Sequence, residues 1–193
     1  VLGAAAQDPA TVEFRRVIVT GEFVPNWPLY LDNRPLDGRS GCIFLMPFKI
    51  TGSHKYVLVE RGWLPRDPAG RALAQPPTPA GTVTIEGIAV TRPARVMQLG
   101  TPPALKPGAI VQNLEVGAFA AASGLDMQPF LIEQTGPGVP EADGNAALVR
   151  KWPAPATDVD RHRGYAFQWY ALAAMAFVFF VITGFRSGAK HAG

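Results

Sequence analysis

Residues 165–185, YAFQWYALAAMAFVFFVITGF, form a run of 21 residues with no charge and with Gln168 as the one strongly polar side chain. Coiled as a helix, such a run spans about 30 Å, the thickness of a bilayer's hydrocarbon core. A helix at the surface of a small folded domain keeps a polar stripe for water. This one has none, so it reads as a transmembrane helix. The flanks agree. Arg161 and Arg163 precede the run, Arg186 and Lys190 follow it, and Tyr165, Trp169 and Tyr170 are the aromatic types that gather at a membrane interface. Arg150, Lys151, Arg161 and Arg163 lie before the run and only Arg186 and Lys190 after it. Taken alone this bias turns the larger part of the chain toward the cytoplasm, but the rule loses force for long domains and does not fix the orientation.

The span accounts for a composition of 48% hydrophobic and only 17% charged residues. It divides the chain into four expected parts: a β-rich extramembrane domain over 1–135, a Gly, Pro and Ala-rich linker over 136–160, the transmembrane helix over 161–186, and a short basic tail over 187–193. The opening VLGAAA has neither the basic start nor the long apolar core of a signal peptide. The expectation is that an N-terminal transmembrane helix, missing from this chain, precedes it.

Within the first part, EFRRVIVTGEF (13–23) alternates as a strand, with Val17, Val19 and Gly21 on one side. CIFLMPFKI (42–50) is a buried apolar run, Thr51-Gly52-Ser53 a turn, and KYVLVERGW (55–63) the returning arm of a hairpin. Pro47 places the first arm at an edge or a bulge. Residues 66–81 are a proline-rich loop, 82–90 a strand, 110–112 a short strand, 114–123 a helix closed by Gly124, and 129–134 a last strand. The predicted fold is mostly β, a small antiparallel barrel or sandwich with one short helix, joined to the C-terminal transmembrane helix.

Little in the chain points to catalysis. No serine stands in a strand–turn–helix elbow, and Asp158 and Asp160 sit in the approach to the membrane as solvated loop residues. Cys42 is the single cysteine, which excludes an intramolecular disulfide and a two-thiol metal site within one chain. His54, His162 and His191 lie far apart in sequence and show no metal-ligand spacing. A net charge of +3 is spread over scattered residues, giving no nucleic-acid-binding surface. RGWLP (61–65) admits two readings. In one, Gly62 bends the strand, Trp63 packs and Pro65 ends the ladder. In the other, Arg61 and Trp63 contact a protein partner, as these residue types do in binding hot spots.

EFRRVIVTGEF, LDNRP (31–35), YVLVERGWLP (56–65) and HRGYAFQW (162–169), in that order, resemble the Surfeit locus protein family of cytochrome c oxidase assembly factors. The likeness runs from Glu13 to about Trp169. RGW with a following Pro, together with HxxYAxxW, are its specific motifs. Glu60 departs from the family's usual Asn, and Arg161 and Arg163 from its usual Asn and apolar residue. The resemblance implies a β-rich domain between two membrane helices, on the periplasmic face of a bacterial inner membrane or, as the alternative, in a mitochondrial inner membrane. It also implies a non-catalytic role in maturing cytochrome c oxidase subunit I, with haem a as a transient cofactor. A structural accessory subunit retained in the mature oxidase is the competing function.

At about 100° per residue, His162, Ala166, Trp169 and Ala173 share one helical stripe, with Tyr165 at its edge. Under the resemblance, His162 is a candidate axial ligand to haem iron, Tyr165 and Trp169 flank the ring, and Arg161 and Arg163 pair with its propionates. The competing reading is an interfacial anchor: both arginines on lipid phosphates, Tyr165 and Trp169 in the aromatic belt, and His162 exposed beside them.

Overall fold

Apolar residues at every second position make the first strand. β1 (Arg16–Phe23) buries Val17, Val19, Gly21 and Phe23 and turns Arg16, Ile18, Thr20 and Glu22 outward. The computed structural model describes residues 7–66, 76–98, 100–137, 148–152 and 159–189, with side chains of the last stretch described over 165–180. Six further strands follow among the described residues: β2 (Leu29–Leu31), β3 (Gly41–Ile50), β4 (Tyr56–Pro65), β5 (Val83–Val90), β6 (Ile110–Val111) and β7 (Met127–Gln134). Three helices accompany them, α1 (Pro9–Val12), α2 (Val116–Ser123) and α3 (Val159–Ala189).

Five of the strands close on themselves. β1 pairs with β5, β5 with β7, β7 with β4 and β4 with β3, and β3 returns to β1 through Gly21↔Ile50 and Phe23↔Phe48. The fold is therefore a five-stranded barrel, which settles the choice between barrel and sandwich. The antiparallel expectation holds at four of the five seams, and at the fifth β4 and β7 run parallel. The reason is arithmetic: strands of alternating direction cannot close a ring of odd number, so one neighbouring pair has to agree. The long passage from β5 through α2 supplies the crossover that a parallel pair requires. A second parallel pair, β2 with β6, lies outside the ring.

β3 serves two neighbours on one side. Residues 43–45 pair with β2 and residues 48–50 with β1. Pro47, which has no N–H to give, stands in the gap between the two sets. β3 is no edge strand and its bulge falls at Phe44/Leu45, which corrects the edge or bulge expected at Pro47. Inside the barrel Phe44, Met46, Phe48, Val57, Val59, Phe130 and Ile132 pack together. Leu45, Leu58 and Leu131 face outward yet remain fully buried, because β2, β6 and α2 cover them. Trp27 and Phe119 meet edge-on there with ring centroids 5.6 Å apart. A strand buried on both faces reads as a continuous apolar run, which is why residues 42–50 show no alternation.

α2 is two residues shorter than expected at its start and ends as expected. Gly124 takes the left-handed conformation (φ 69°) and its N–H bonds the Ala120 carbonyl at 2.9 Å. The single predicted short helix gains a companion, α1, capped by Asp8 with Pro9 in its first turn.

The chain forms two compact units, Val1–Trp152 and Pro153–Gly193. In the first, Val149 exchanges backbone hydrogen bonds of 2.7 and 2.9 Å with Trp63, and Leu148 is buried. Residues 148–152, inside the expected linker, thus belong to the barrel. In the second, α3 is 31 residues long. Tyr165, Phe167, Trp169, Tyr170, Leu172, Met175, Phe177 and Phe180 are all more than half exposed. Among the described residues, no helix is long and apolar enough to cross a membrane.

Candidate functional site

The RGW motif is built around a bulge. Phe44 pairs with Gly62 and Leu45 with Glu60, so Arg61 is the extra residue on β4. A bulge re-aims a side chain, and here it turns Arg61 to the barrel interior. Gly62 follows at φ 153°, and a Cβ there would press on the Leu148 side chain and the Val149 carbonyl at 3.2 Å. Only glycine suits the position. Trp63 then lies over Gly41, donates its indole N–H to the Arg34 carbonyl at 2.6 Å, and has the Arg39 guanidinium 5.9 Å from its ring.

Arg61 is 2% exposed and Trp63 6%. Both side chains are therefore packed into the fold, Arg61 toward the barrel interior and Trp63 opposite Ile43 on its outer face. Arg61 places its guanidinium 4.7 Å from the Phe23 ring and 5.5 Å from that of Phe44. It donates to the Pro77 carbonyl at 2.8 Å and to Thr78 Oγ1 at 3.2 Å. Its Nε is buried without a partner among the described residues. Burial, and then the nearby positive charge of Arg150, push its pKa down to about 10.

Arg150 donates from Nε to the Arg61 carbonyl at 3.0 Å and from Nη1 to the Pro137 carbonyl at 2.6 Å. With Phe23, Val83, Ile85 and Gln134, the two arginines line a cleft of about 390 Å³ at the barrel mouth.

A second buried cluster lies on the outer face of the same strand. In LDNRP, Asn33 adopts φ 58°, a left-handed turn that asparagine tolerates. The turn carries Arg34 inward, where it donates to the carbonyls of Asp32, Ala94 and Gln112 at 2.7, 2.7 and 2.8 Å and so ties three segments together. Glu60 is 2% exposed, with Oε1 lacking a partner among the described residues. Burial first, and then Glu133 opposite it in the β4–β7 register, raise its pKa to about 8 against the pull of Arg34. At neutral pH, Glu60 is mainly a neutral acid.

The helix motif lies in the second unit. Arg161, His162 and Arg163 fall in the first turns of α3, and their side chains lie outside the described residues. Tyr165 and Trp169, four residues apart, are 59% and 71% exposed on one helical face. The structure thus brings Arg61 together with Arg150, which sequence reasoning had placed only among the membrane flanks. It also brings Glu60 together with Arg34 and Glu133, a cluster that sequence reasoning missed. The local signals were slight: Gly62 as a bulge marker, and Glu60 in a strand otherwise apolar.

Comparison with known proteins gives a consistent picture. A stretch of 52 residues is 36% identical to the cytochrome oxidase assembly protein SHY1 of Saccharomyces cerevisiae, covering 27% of this chain and 13% of that protein. The SURF1-like protein of Rickettsia conorii is 27% identical over 172 residues, which is 88% of this chain and 68% of the relative. The chain spans a small part of the yeast protein's length and about two thirds of the rickettsial one's. The SURF1 family matches residues 2–174, a range that takes in the barrel, the Arg61 bulge and the mouth of α3. On that match, this chain belongs to the SURF1 family.

Proposed function

We propose that this protein is a membrane-anchored, non-catalytic assembly factor for cytochrome c oxidase, which acts on subunit I and assists the insertion of haem a. The observation that carries the proposal is the family match over residues 2–174, joined to a yeast relative named as a cytochrome oxidase assembly protein. α3 supports the membrane anchor. At 100° per residue its exposed Phe167, Trp169, Tyr170, Leu172 and Met175 point in all directions around the axis. A helix apolar on every side is at ease in lipid and not in water. The β domain then stands at the periplasmic face of a bacterial inner membrane, with the mitochondrial inner membrane as its counterpart.

The mouth of α3 supports the haem reading. Tyr165 and Trp169 leave an exposed aromatic face, and Ala166 between them leaves room for a flat ring. His162, one turn earlier on that face, offers an imidazole nitrogen of the kind that holds haem iron, with Arg161 and Arg163 beside it for the propionates. The bound haem would be cargo for the oxidase.

Deleting the gene is expected to lower assembled oxidase and its haem a content while subunit I synthesis continues. Normal oxidase haem in the deletion strain overturns the proposal. Recovery of the protein in stoichiometric amounts with mature, active oxidase would make it a structural accessory subunit instead. For the haem part, His162→Ala should abolish or shift the Soret band of haem-loaded protein while membrane insertion persists. An unchanged spectrum removes His162 as the ligand.

A further inference from the structure

The cleft at the barrel mouth combines apolar walls with a cationic floor that no carboxylate among the described residues neutralises. Its walls are Phe23, Val83, Ile85 and two prolines, and Arg61 of β4 and Arg150, beside the Val149 bridge to Trp63, line it too. No Asp or Glu lines it among the described residues. The cleft beside the β3–β4 turn, in contrast, contains Glu22, and the cleft beside Arg34 contains Asp32, which pairs with Arg66 at 2.6 Å. A guanidinium that is 2% exposed is expensive to hold without an anion. Among the described residues, Arg61 meets only neutral acceptors, Thr78 Oγ1 and the Pro77 carbonyl, and its Nε is left with no partner.

We propose that this cleft binds a small monocarboxylate with an apolar body. The carboxylate lies between Arg61 and Arg150, and the body lies against Phe23, Val83 and Ile85. Two oxygens suit the two guanidinium groups that line the cleft, one toward Arg61 and one toward Arg150. Gln134 lines the same cleft and adds a neutral polar group to it. A phosphate would need more donors than these and would set its charge against apolar walls. A volume of about 390 Å³ falls in the range of small-ligand sites. The inference concerns the barrel alone and does not rest on the role at the oxidase.

The test is calorimetric titration of the full chain in phosphatidylcholine nanodiscs with sodium octanoate, using empty discs as the reference. Saturable binding is expected, with octanol at least about tenfold weaker, since a charge-assisted hydrogen bond carries that much. Arg150→Gln should weaken octanoate by about tenfold, with an unchanged far-UV circular dichroism spectrum. In parallel, octanoate but not octanol should raise the melting temperature of the unsubstituted protein. Equal affinity for octanol, or octanoate binding unaffected by Arg150→Gln, overturns the proposal. Displacement of octanoate by inorganic phosphate at equal concentration, or no saturable heat at millimolar octanoate, does the same.

Discussion

Glu60 is a carboxylic acid where a carboxylate would be costly. The resemblance carried by the RGW motif leads one to expect a neutral asparagine at this position, and burial keeps this acid largely neutral too, with a pKa raised to about 8. Protonated, it fills the place of an amide. The sign of the pH dependence follows. The folded state holds the proton to about pH 8, whereas the unfolded chain releases it near the ordinary value of 4.5. Stability is therefore highest below about pH 4.5, as far as this group is concerned, and falls as the pH rises toward 8. Glu60→Gln should flatten that fall and stabilise the protein by on the order of a few kcal/mol above pH 8. Melting temperatures of both proteins between pH 6 and 9 check it, and parallel curves would refute it. At this scale the sequence was partly legible. Trp63 was open to the packing role it has, but a strand arginine is ordinarily read as solvated. The burial of Arg61 depends on a bulge that only the register of β3 reveals.

Among the elements, β1 carries the closure of the barrel. Gly21 pairs with Val83 of β5 and with Ile50 of β3 at once, and a Cβ there would overlap the Lys49 carbonyl oxygen and the Phe48 ring. Backbones approach so closely only where glycine permits it. Gly21→Ala should destabilise by about 1–3 kcal/mol or more, through overpacking at the seam. Gly117→Ala, exposed on α2 with open space around it, should stabilise slightly, by under about 1 kcal/mol. Urea unfolding midpoints that move in these opposite directions are the expected result. Local patterns announced β1, the β3–β4 hairpin and the Gly124 cap, because each is decided within a dozen residues. β2 escaped notice because three residues set no period. The β1–β3 and β4–β7 seams escaped because pairing across long loops leaves no local trace.

For the whole molecule, composition separated a β-rich part from a C-terminal helix, but it could not show where the barrel ends. Val149 bridges Trp63, Arg150 bonds the Arg61 carbonyl, and Trp152 donates to the Gln134 carbonyl at 2.8 Å. A chain cut after Trp152 should keep the stability of the barrel. One cut at residue 135 should lose roughly 2–5 kcal/mol, for the buried Leu148 alone. Thermal unfolding of the two truncations separates them, and equal midpoints would show the clasp to be dispensable. The clasp also has a mechanical sense. Any pull on the chain from its C-terminal side is borne first where Trp152 holds the Gln134 carbonyl of β7 and then where Arg150 holds the Arg61 carbonyl of β4. Tension on the chain beyond Trp152 is thus delivered to the strand segments that hold Gln134 and Arg61, and the cleft they line becomes the part of the barrel that feels it first.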